Sequence, residues 1–145
     1  MPSVSNILAR KGSNVFTIDP QATVLDSARL MNRHKIGCLL VLKKNAIVGI
    51  LTERDVLERV VAQCRLPDEM RVEEAMTTDV LYCRPHTDLE EVRSMMRDHR
   101  LRHVPVVDLQ GELHGMISIG DLNAWEVHEQ EATITVLTEY IHGRV

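Results

Sequence analysis

The strongest constraint on the fold of this chain is an internal duplication, because residues 16–56 recur with substitutions at residues 82–122. The two copies align at an offset of 65, as at Pro20 and Pro85, and one residue inserted in the second copy raises the offset to 66 from there on. A repeat of this kind predicts two half-cores that bury apolar faces against each other. The pseudo-symmetric seam between two such halves is a natural place for ligands.

Length and composition restrict the class of protein. With 145 residues and 44% hydrophobic content, the chain is long enough for one structural unit of two interlocked halves and too short for two independent domains of usual size. It has one Trp, two Tyr and one Phe, which are too few for the stacking platforms of single-stranded nucleic-acid binding. A net charge of −4 offers no general attraction to nucleic acid or to an anionic membrane. We therefore expect neither as a partner.

The cysteines and the N-terminal residues predict a reducing location. Cys38, Cys64 and Cys83 are widely spaced and form no CxxC pair. Residues 1–12 lack the apolar core of a signal peptide, and no uninterrupted apolar run approaches the length of a membrane span. We expect a cytoplasmic protein.

Each copy predicts the order strand, helix, strand, strand, helix. Extended segments at 15–20 and 80–85 end in proline, and amphipathic helices follow. Thr23 and Thr87 each precede an acidic residue by three positions, which is the spacing of a capping box at a helix start. Paired apolar runs around a polar turn then predict hairpins, namely 36–42 with 47–51 and 103–107 with 113–119.

Three further segments are helical in pattern. The leader at 3–14 and the connector at 62–76 each predict a short helix. From residue 122 to His142 the chain contains no Gly or Pro, which predicts a long terminal helix. This helix either packs on a partner subunit or folds back on its own domain, and the sequence leaves both alternatives open.

Each copy closes with one seven-residue motif, GILTERD at 49–55 and GMISIGD at 115–121. A hydroxyl residue at a helix start lies beside unpaired backbone amides and the positive end of the helix dipole, which favour a phosphate. An aspartate one turn later can accept hydrogen bonds from a vicinal diol, and the glycine admits a flat base or a neighbouring backbone. Together these features describe a ribonucleotide site. The same spacing also fits a plain helix cap, and that alternative stays open.

The ordered set of motifs resembles the cystathionine-β-synthase (CBS) domain family, in the form of a stand-alone tandem pair. The resemblance rests on TIDP with CRPH, IGCLLV with RHVPVVD, and GILTERD with GMISIGD, and covers about three quarters of the chain. It implies an α/β (α+β) fold of two βαββα motifs in a pseudo-twofold pair with a C-terminal helix. The corresponding divisions are 1–66 for the first motif with its leader, 67–125 for the second motif, and 126–145 for a helical extension.

The resemblance also implies a ligand and partners. The ligand would be an adenosine nucleotide, with AMP as the first choice and ATP, ADP or NAD as alternatives, and no catalytic cofactor is expected. Association into a homodimer and regulation of another protein would follow, although the sequence does not name that protein.

Carried over position by position, the resemblance makes Asp55 and Asp121 the ribose ligands and Thr52 and Ser118 the phosphate-side hydroxyls. Arg54 would clamp phosphate, because guanidinium can form two parallel hydrogen bonds to it.

Two sets of residues would form the walls around the bases, one set for each cleft. The pairing of walls with aspartates stays open, because the family's clefts lie between the copies. One set is Thr17, Ile18 and Pro20 with Gly37, Cys38 and Leu39, and the other is Tyr82, Cys83 and Pro85 with His103, Val104 and Pro105.

The two copies differ in charge at the motif. Ile119 and Gly120 stand where the first copy has a glutamate and Arg54, so we expect two inequivalent sites. Arg102 and His103 either restore a cation near the second site or belong to a solvated surface.

No catalytic or metal-binding pattern competes with this interpretation. His99 and His103 have no Cys or acidic ligand at a convincing spacing, so we expect no metal site and no enzyme. Two functions remain: a nucleotide-sensing regulatory module, or a ligand-free dimerisation or protein-interaction module in which Asp55 and Asp121 only cap helices.

Overall fold

A computed structural model describes residues 1–142 as a mixed α/β protein, which confirms the predicted fold class. The predicted order of strands and helices is complete in the first copy, and the second copy has it except for its first strand. The leader and connector helices are in place. In chain order the elements are α1 (Val4–Lys11), β1 (Thr17–Ile18), α2 (Val24–His34), β2 (Cys38–Lys43), β3 (Ala46–Thr52), α3 (Glu53–Val56), a π-helical turn (Leu57–Val61), α4 (Val72–Ala75), α5 (Leu89–His99), β4 (His103–Val107), β5 (Leu113–Ser118) and α6 (Ile119–Ile141).

Packing divides the chain into two compact units. The first-copy unit is Val15–Leu81, and the second-copy unit joins Met1–Asn14 to the chain from Tyr82 onward. The leader therefore packs with the second copy, because Val4 and Ile7 of α1 are buried in that unit's core. Likewise the connector packs with the first copy. The sequence-based divisions 1–66, 67–125 and 126–145 follow the order of the motifs and stay a prediction, and residues 143–145 of the last division lie outside the described residues.

The first-copy unit is built on a three-stranded sheet in the order β1-β2-β3. β1 runs parallel to β2, and β2 pairs antiparallel with β3, as the predicted hairpin requires. Lys44 and Asn45 in the turn have φ of 51° and 66°, the left-handed values that a tight two-residue hairpin turn uses. The core of this unit consists of Val24, Met31, Leu39, Val41, Leu51, Val60, Met70, Val72 and Ala75.

The start of α2 confirms the first predicted capping box. The Asp26 amide donates to Thr23 Oγ1 over 3.1 Å, and the Thr23 amide donates to Asp26 Oδ2 over 3.2 Å. These bonds satisfy two amide donors that a helix start otherwise leaves unpaired. Lys35 ends the helix in the left-handed conformation at φ 54°.

The second-copy unit repeats this design around the antiparallel pair β4-β5. Its core combines the leader helix with α5, the hairpin and the first turn of α6. The buried members are Val4, Ile7, Cys83, Leu89, Val92, Met96, Val104, Val106, Ile117 and Leu122.

The second predicted capping box is wrong. Asp88, and not Thr87, is the N-cap of α5, and its side chain makes no capping hydrogen bond. Thr87 Oγ1 instead accepts a hydrogen bond of 2.8 Å from the Arg84 amide, which closes a local turn before the helix. A threonine hydroxyl can accept a hydrogen bond either in a capping box or in a local turn, and here it accepts one in the turn.

The extended segment predicted at 80–85 is shorter than its counterpart in the first copy. It is reduced to a single parallel bridge between Cys83 and Val106. The Cys83 amide donates to Pro105 O over 3.0 Å, and the Val107 amide donates to Cys83 O over 2.9 Å. Arg84 then turns away to bond Thr87, so pairing cannot continue.

Helix α6 confirms the predicted long terminal helix and begins within the closing motif itself. Its first two turns are anchored by Leu122, which is buried, and Trp125, which is partly buried. Every described side chain from Glu126 to His142 is exposed, so this stretch does not fold back on its own unit. Its exposed apolar residues are Val127, Ile134, Val136, Leu137, Tyr140 and Ile141.

Candidate functional site

The two closing motifs fold in the same way at the starts of α3 and α6. The Thr52 amide donates to Asp55 Oδ2 over 2.9 Å, and the Ser118 amide donates to Asp121 Oδ2 over 2.8 Å. In return, the aspartate amides donate to the hydroxyl oxygens over 3.3 Å in the first copy and 3.0 Å in the second. Both motifs are thus capping boxes. Any ligand-binding role of these residues would be in addition to helix capping.

Each of these helix starts is also tied to the beginning of the neighbouring strand. The Glu53 amide donates to Gly37 O over 3.1 Å, and the Ile119 amide donates to Arg102 O over 2.8 Å. The duplicated residues Gly37 and Arg102 therefore hold equivalent backbone positions, although only the arginine brings a charge. These backbone hydrogen bonds fix the position of each motif independently of its side chains.

Asp55 is buried and internally bonded. The residue is 6% exposed, and Oδ2 accepts from Thr52 Oγ1 over 3.2 Å in addition to the amide. Oδ1 accepts from the Thr77 hydroxyl over 2.9 Å. Thr77 is held there because its backbone pairs with Ile50 through bonds of 2.9 and 2.8 Å. Sequence reasoning missed Thr77, which is one hydroxyl residue directly after the polar connector.

Asp121 has a different partner. Lys11 Nζ, at the end of α1, lies 2.7 Å from Asp121 Oδ2 and donates a second bond of 2.9 Å to Met116 O. The Asp121 side chain is 22% exposed and that of Lys11 is 35% exposed, so this ion pair is open to solvent. Sequence reasoning missed Lys11 as well, because the duplication begins after it and gives it no partner in the alignment.

A groove of about 250 Å³ lies beside this ion pair, between α1 and α6. The guanidinium carbon of Arg10 lies 4.3 Å from the ring centroid of Trp125, in cation–π contact. Within residues 1–142, Trp125 Nε1 is buried without a hydrogen-bond partner. The groove is lined by Ile7, Arg10, Lys11, Asp121, Ala124, Trp125 and His128.

The motif glycines serve close packing inside each unit. A Cβ at Gly49 would lie 2.9 Å from the Thr77 carbonyl oxygen, and one at Gly115 would lie 2.9 Å from Leu8 Cδ2. Of the two reasons that the sequence offered for these glycines, the close approach of neighbouring chain is therefore present. The connector approaches the first glycine, and the leader approaches the second.

The proposed base walls of the first copy range from exposed to fully buried. Thr17 is exposed, Ile18 and Gly37 are half-buried, and Pro20, Cys38 and Leu39 are buried. Leu39 lies in the hydrophobic core, so a ligand could reach it only through its backbone. Burial, together with the Asp55 charge, raises the pKa of the Cys38 thiol to about 12.

The proposed walls of the second copy show the same gradient. Tyr82 is exposed, Pro85 and His103 are half-buried, and Cys83, Val104 and Pro105 are buried. Cys83 and Val104 belong to the hydrophobic core of this unit. Burial raises the pKa of the Cys83 thiol to about 11. Neither buried thiol is a nucleophile near neutral pH, because the reactive form is the thiolate.

The predicted cations lie at the surface. Arg54 is exposed in the first turn of α3, and Arg102 is exposed just before β4. Among residues 1–142 no group of three His, Cys, Asp or Glu side chains is placed to hold a metal ion. No helix in that range is long and apolar enough to span a membrane.

Comparison with known proteins decides the family. The model of the CBS domain matches this chain twice, at residues 4–62 and 72–127. The chain belongs to the CBS domain family. The two matches make it a CBS pair, as the duplicated motifs predicted.

Known relatives extend this assignment. CBS domain-containing protein CBSX3, mitochondrial, from Arabidopsis thaliana is 32% identical over 97% of this chain and 72% of its own length. A solved structure of a protein with CBS domains from Burkholderia ambifaria MC40-6 is 41% identical, with a TM-score of 0.86 over 89% of this CBS pair and 96% of that chain.

A further solved structure shares the fold. The CBS domain pair of protein MJ0100, solved in complex with 5′-methylthioadenosine and S-adenosyl-L-methionine, has a TM-score of 0.78 at 22% identity. The alignment covers 89% of this CBS pair and 98% of that chain.

Proposed function

We propose that this CBS pair is a regulatory module that binds an adenosine nucleotide and is not an enzyme. One observation carries the proposal: both copies place an aspartate beside a helix-start hydroxyl, and in the second copy that aspartate borders a groove with two basic side chains. The aspartate can accept hydrogen bonds from the ribose diol, the basic side chains can bind phosphate, and the apolar lining can contact the base.

The roles of individual residues follow the motif. Asp55 and Asp121 bond the ribose hydroxyls, while Thr52, Ser118 and Arg54 lie on the phosphate side. In each set of proposed walls the half-buried members, such as Ile18 in one set and His103 in the other, contact the base bound beside that set. We propose AMP as the first ligand to test, with ATP, ADP and NAD as alternatives. The adenosine compounds bound by the MJ0100 pair support this class of ligand.

Regulation requires that the ligand favour one arrangement of the protein over another. We propose that the exposed apolar residues of α6 contact another subunit in a homodimer or the regulated protein. A reducing compartment such as the cytoplasm suits the three cysteines, none of which forms a disulfide.

A second candidate function is a ligand-free assembly module. The bonding of Asp55 favours it, because Thr52 and Thr77 already occupy both carboxylate oxygens of a buried side chain. In this alternative the duplicated acids act only as caps, and α6 makes the intermolecular contact.

Calorimetric titration of the purified protein with AMP, ADP, ATP and NAD separates the two candidates. A sensor releases or absorbs heat with at least one of them, and the same ligand raises the melting temperature because it binds the folded form. GMP is the matched control for base recognition. If no adenosine compound gives heat or a thermal shift, the sensor proposal is refuted and the assembly module stands.

A further inference from the structure

The second copy lacks a cation on its own motif. Ile119 and Gly120 occupy the first turn of α6, whereas the first copy has Arg54 in the first turn of α3. From the motif alone, the second site would therefore present an aspartate with no positive charge to receive a phosphate. In the folded structure, a residue outside the motif supplies a positive charge at this site.

Lys11 supplies that charge from the leader. Its ammonium group donates to Asp121 Oδ2 over 2.7 Å and to Met116 O over 2.9 Å. An ammonium has three N–H donors, so one remains for a further acceptor. Within residues 1–142 the side-chain bonds of Asp121 all reach Oδ2, which leaves Oδ1 for a ligand hydroxyl.

The charge balance of the groove favours an anion. Arg10 and Lys11 bring two positive charges against the single carboxylate of Asp121. Arg10 lies over the Trp125 ring, whereas Lys11 is directly beside the aspartate. Of the two cations, Lys11 is the one within reach of both the ribose-binding acid and a phosphate attached to the same ligand.

We propose that Lys11 is the phosphate-binding residue of the Asp121 site and takes the place that Arg54 holds in the first copy. This inference rests on the proposed function and specifies its ligand, since the Asp121 site then selects phosphorylated adenosine over adenosine. A lysine acts as a compact point charge, so it tolerates phosphates at slightly different positions.

The chain contains a reporter for this site alone. Trp125 is the single tryptophan of the sequence and lines the same groove as Lys11 and Asp121. Its fluorescence, excited selectively near the red edge of protein absorption, therefore reports occupancy of the second-copy site and not of the first.

The test titrates the parent and Lys11→Met with AMP and with adenosine while Trp125 fluorescence is followed. Loss of one charge-assisted hydrogen bond predicts that Lys11→Met weakens AMP about tenfold and adenosine less than about twofold. Lys11→Arg keeps the charge and is expected to stay within about threefold of the parent for AMP. Lys43→Met is the matched control, because it removes an exposed lysine in the other unit and leaves AMP affinity unchanged.

The outcomes separate this inference from the proposed function. If the parent binds AMP and Lys11→Met binds it equally well, or if AMP and adenosine weaken equally, the role of Lys11 is refuted and nucleotide binding stands. If the parent gives no change in Trp125 fluorescence but releases or absorbs heat with an adenosine compound, the role of Lys11 is refuted and nucleotide binding stands. If it gives neither signal with any adenosine compound, both proposals fail. Should Lys11→Met lose its cooperative melting transition, the ratio of AMP to adenosine affinity in Lys11→Gln and Lys11→Arg decides in the same way.

Discussion

The Thr77 hydroxyl donates a hydrogen bond of 2.9 Å to Oδ1 of Asp55 and joins the end of the connector segment, one residue beyond it, to the first closing motif. The corresponding aspartate of the second copy is bonded instead by a lysine from the leader. The two equivalent aspartates thus have a neutral hydrogen-bond partner in the first copy and a cationic one in the second. This difference predicts different consequences when each acid is removed.

Asp55→Ala is expected to lower the free energy of unfolding by about 2 kcal/mol, because it removes a cap and leaves the partly buried Thr77 hydroxyl without its acceptor. Asp121→Ala is expected to cost about 1 kcal/mol, since the cap is lost but Lys11 is solvated. Urea unfolding of both variants measures the difference. A larger loss for Asp121→Ala would contradict this account of the two sites.

Arg54→Gly, which copies the residue of the second motif, is expected to weaken binding of ATP about fivefold and of adenosine much less. The reason is that guanidinium bonds the phosphates and not the nucleoside. Calorimetry with both ligands measures the two losses. Arg54→Lys, which keeps the charge, is the control. Arg33→Gly would be a poor control, because Arg33 lies inside helix α2, where glycine is unfavourable. Equal losses for ATP and adenosine would show that Arg54 does not contact phosphate.

Gly49→Ala and Gly115→Ala are each expected to lower the free energy of unfolding by about 2 kcal/mol through overpacking. The new methyl would meet the Thr77 carbonyl at Gly49, and Gly115 has φ of 153° in addition to its contact with Leu8. Gly120→Ala is the matched control. Its methyl would come no closer than 3.5 Å to Ser118 Oγ, and alanine favours the helix, so stability should stay equal or rise by up to about 1 kcal/mol. Thermal and urea unfolding rank the three variants.

The free energy of unfolding is expected to fall at alkaline pH because of the buried Cys38 thiol. This thiol has a pKa of about 12 in the folded protein against 9.0 for the ordinary group. The contribution of the neutral buried thiol is therefore complete below pH 9 and is lost as the pH rises toward 12. Between pH 7.5 and pH 10, the parent should lose about 1.4 kcal/mol more than Cys38→Ala. Urea unfolding at both pH values measures this, and parallel losses would place the cause in other groups.

Removal of the chain after Gln130 is expected to leave the melting temperature of the isolated chain within a few degrees, because side chains from Glu126 to His142 are exposed. The helical hydrogen bonds removed are local, such as that from Thr135 Oγ1 to Glu131 O. A larger loss that depends on protein concentration would show that α6 stabilises the protein through contact with another molecule.

Much of the local structure could be predicted because its causes lie within a few residues. Thr23 and Asp26 are three positions apart, so their capping box can be seen in the sequence and is present in the structure. Thr87 has the same spacing to an acid, yet the amide of Arg84 takes its hydroxyl. Two local geometries compete there, and spacing alone does not rank them.

The surroundings of the two aspartates could not be predicted in the same way. Thr77 is 22 positions from Asp55, and Lys11 is 110 positions from Asp121. A hydroxyl just after a polar connector and a lysine in a leader carry no periodic or spacing signal. Their contacts depend on which copy the leader and the connector pack against.

By itself the sequence determined the duplication, the order of elements and the membership of the CBS family, because repeated apolar periods and helix starts are local properties of the chain. Only the tertiary structure decided that the leader packs on the second copy and the connector on the first. The physical reason is burial of apolar residues distant in sequence: Val4 and Ile7 complete one core, and Met70 and Val72 complete the other. That packing places a lysine beside one aspartate and a threonine beside the other, and so makes two nearly identical motifs chemically different.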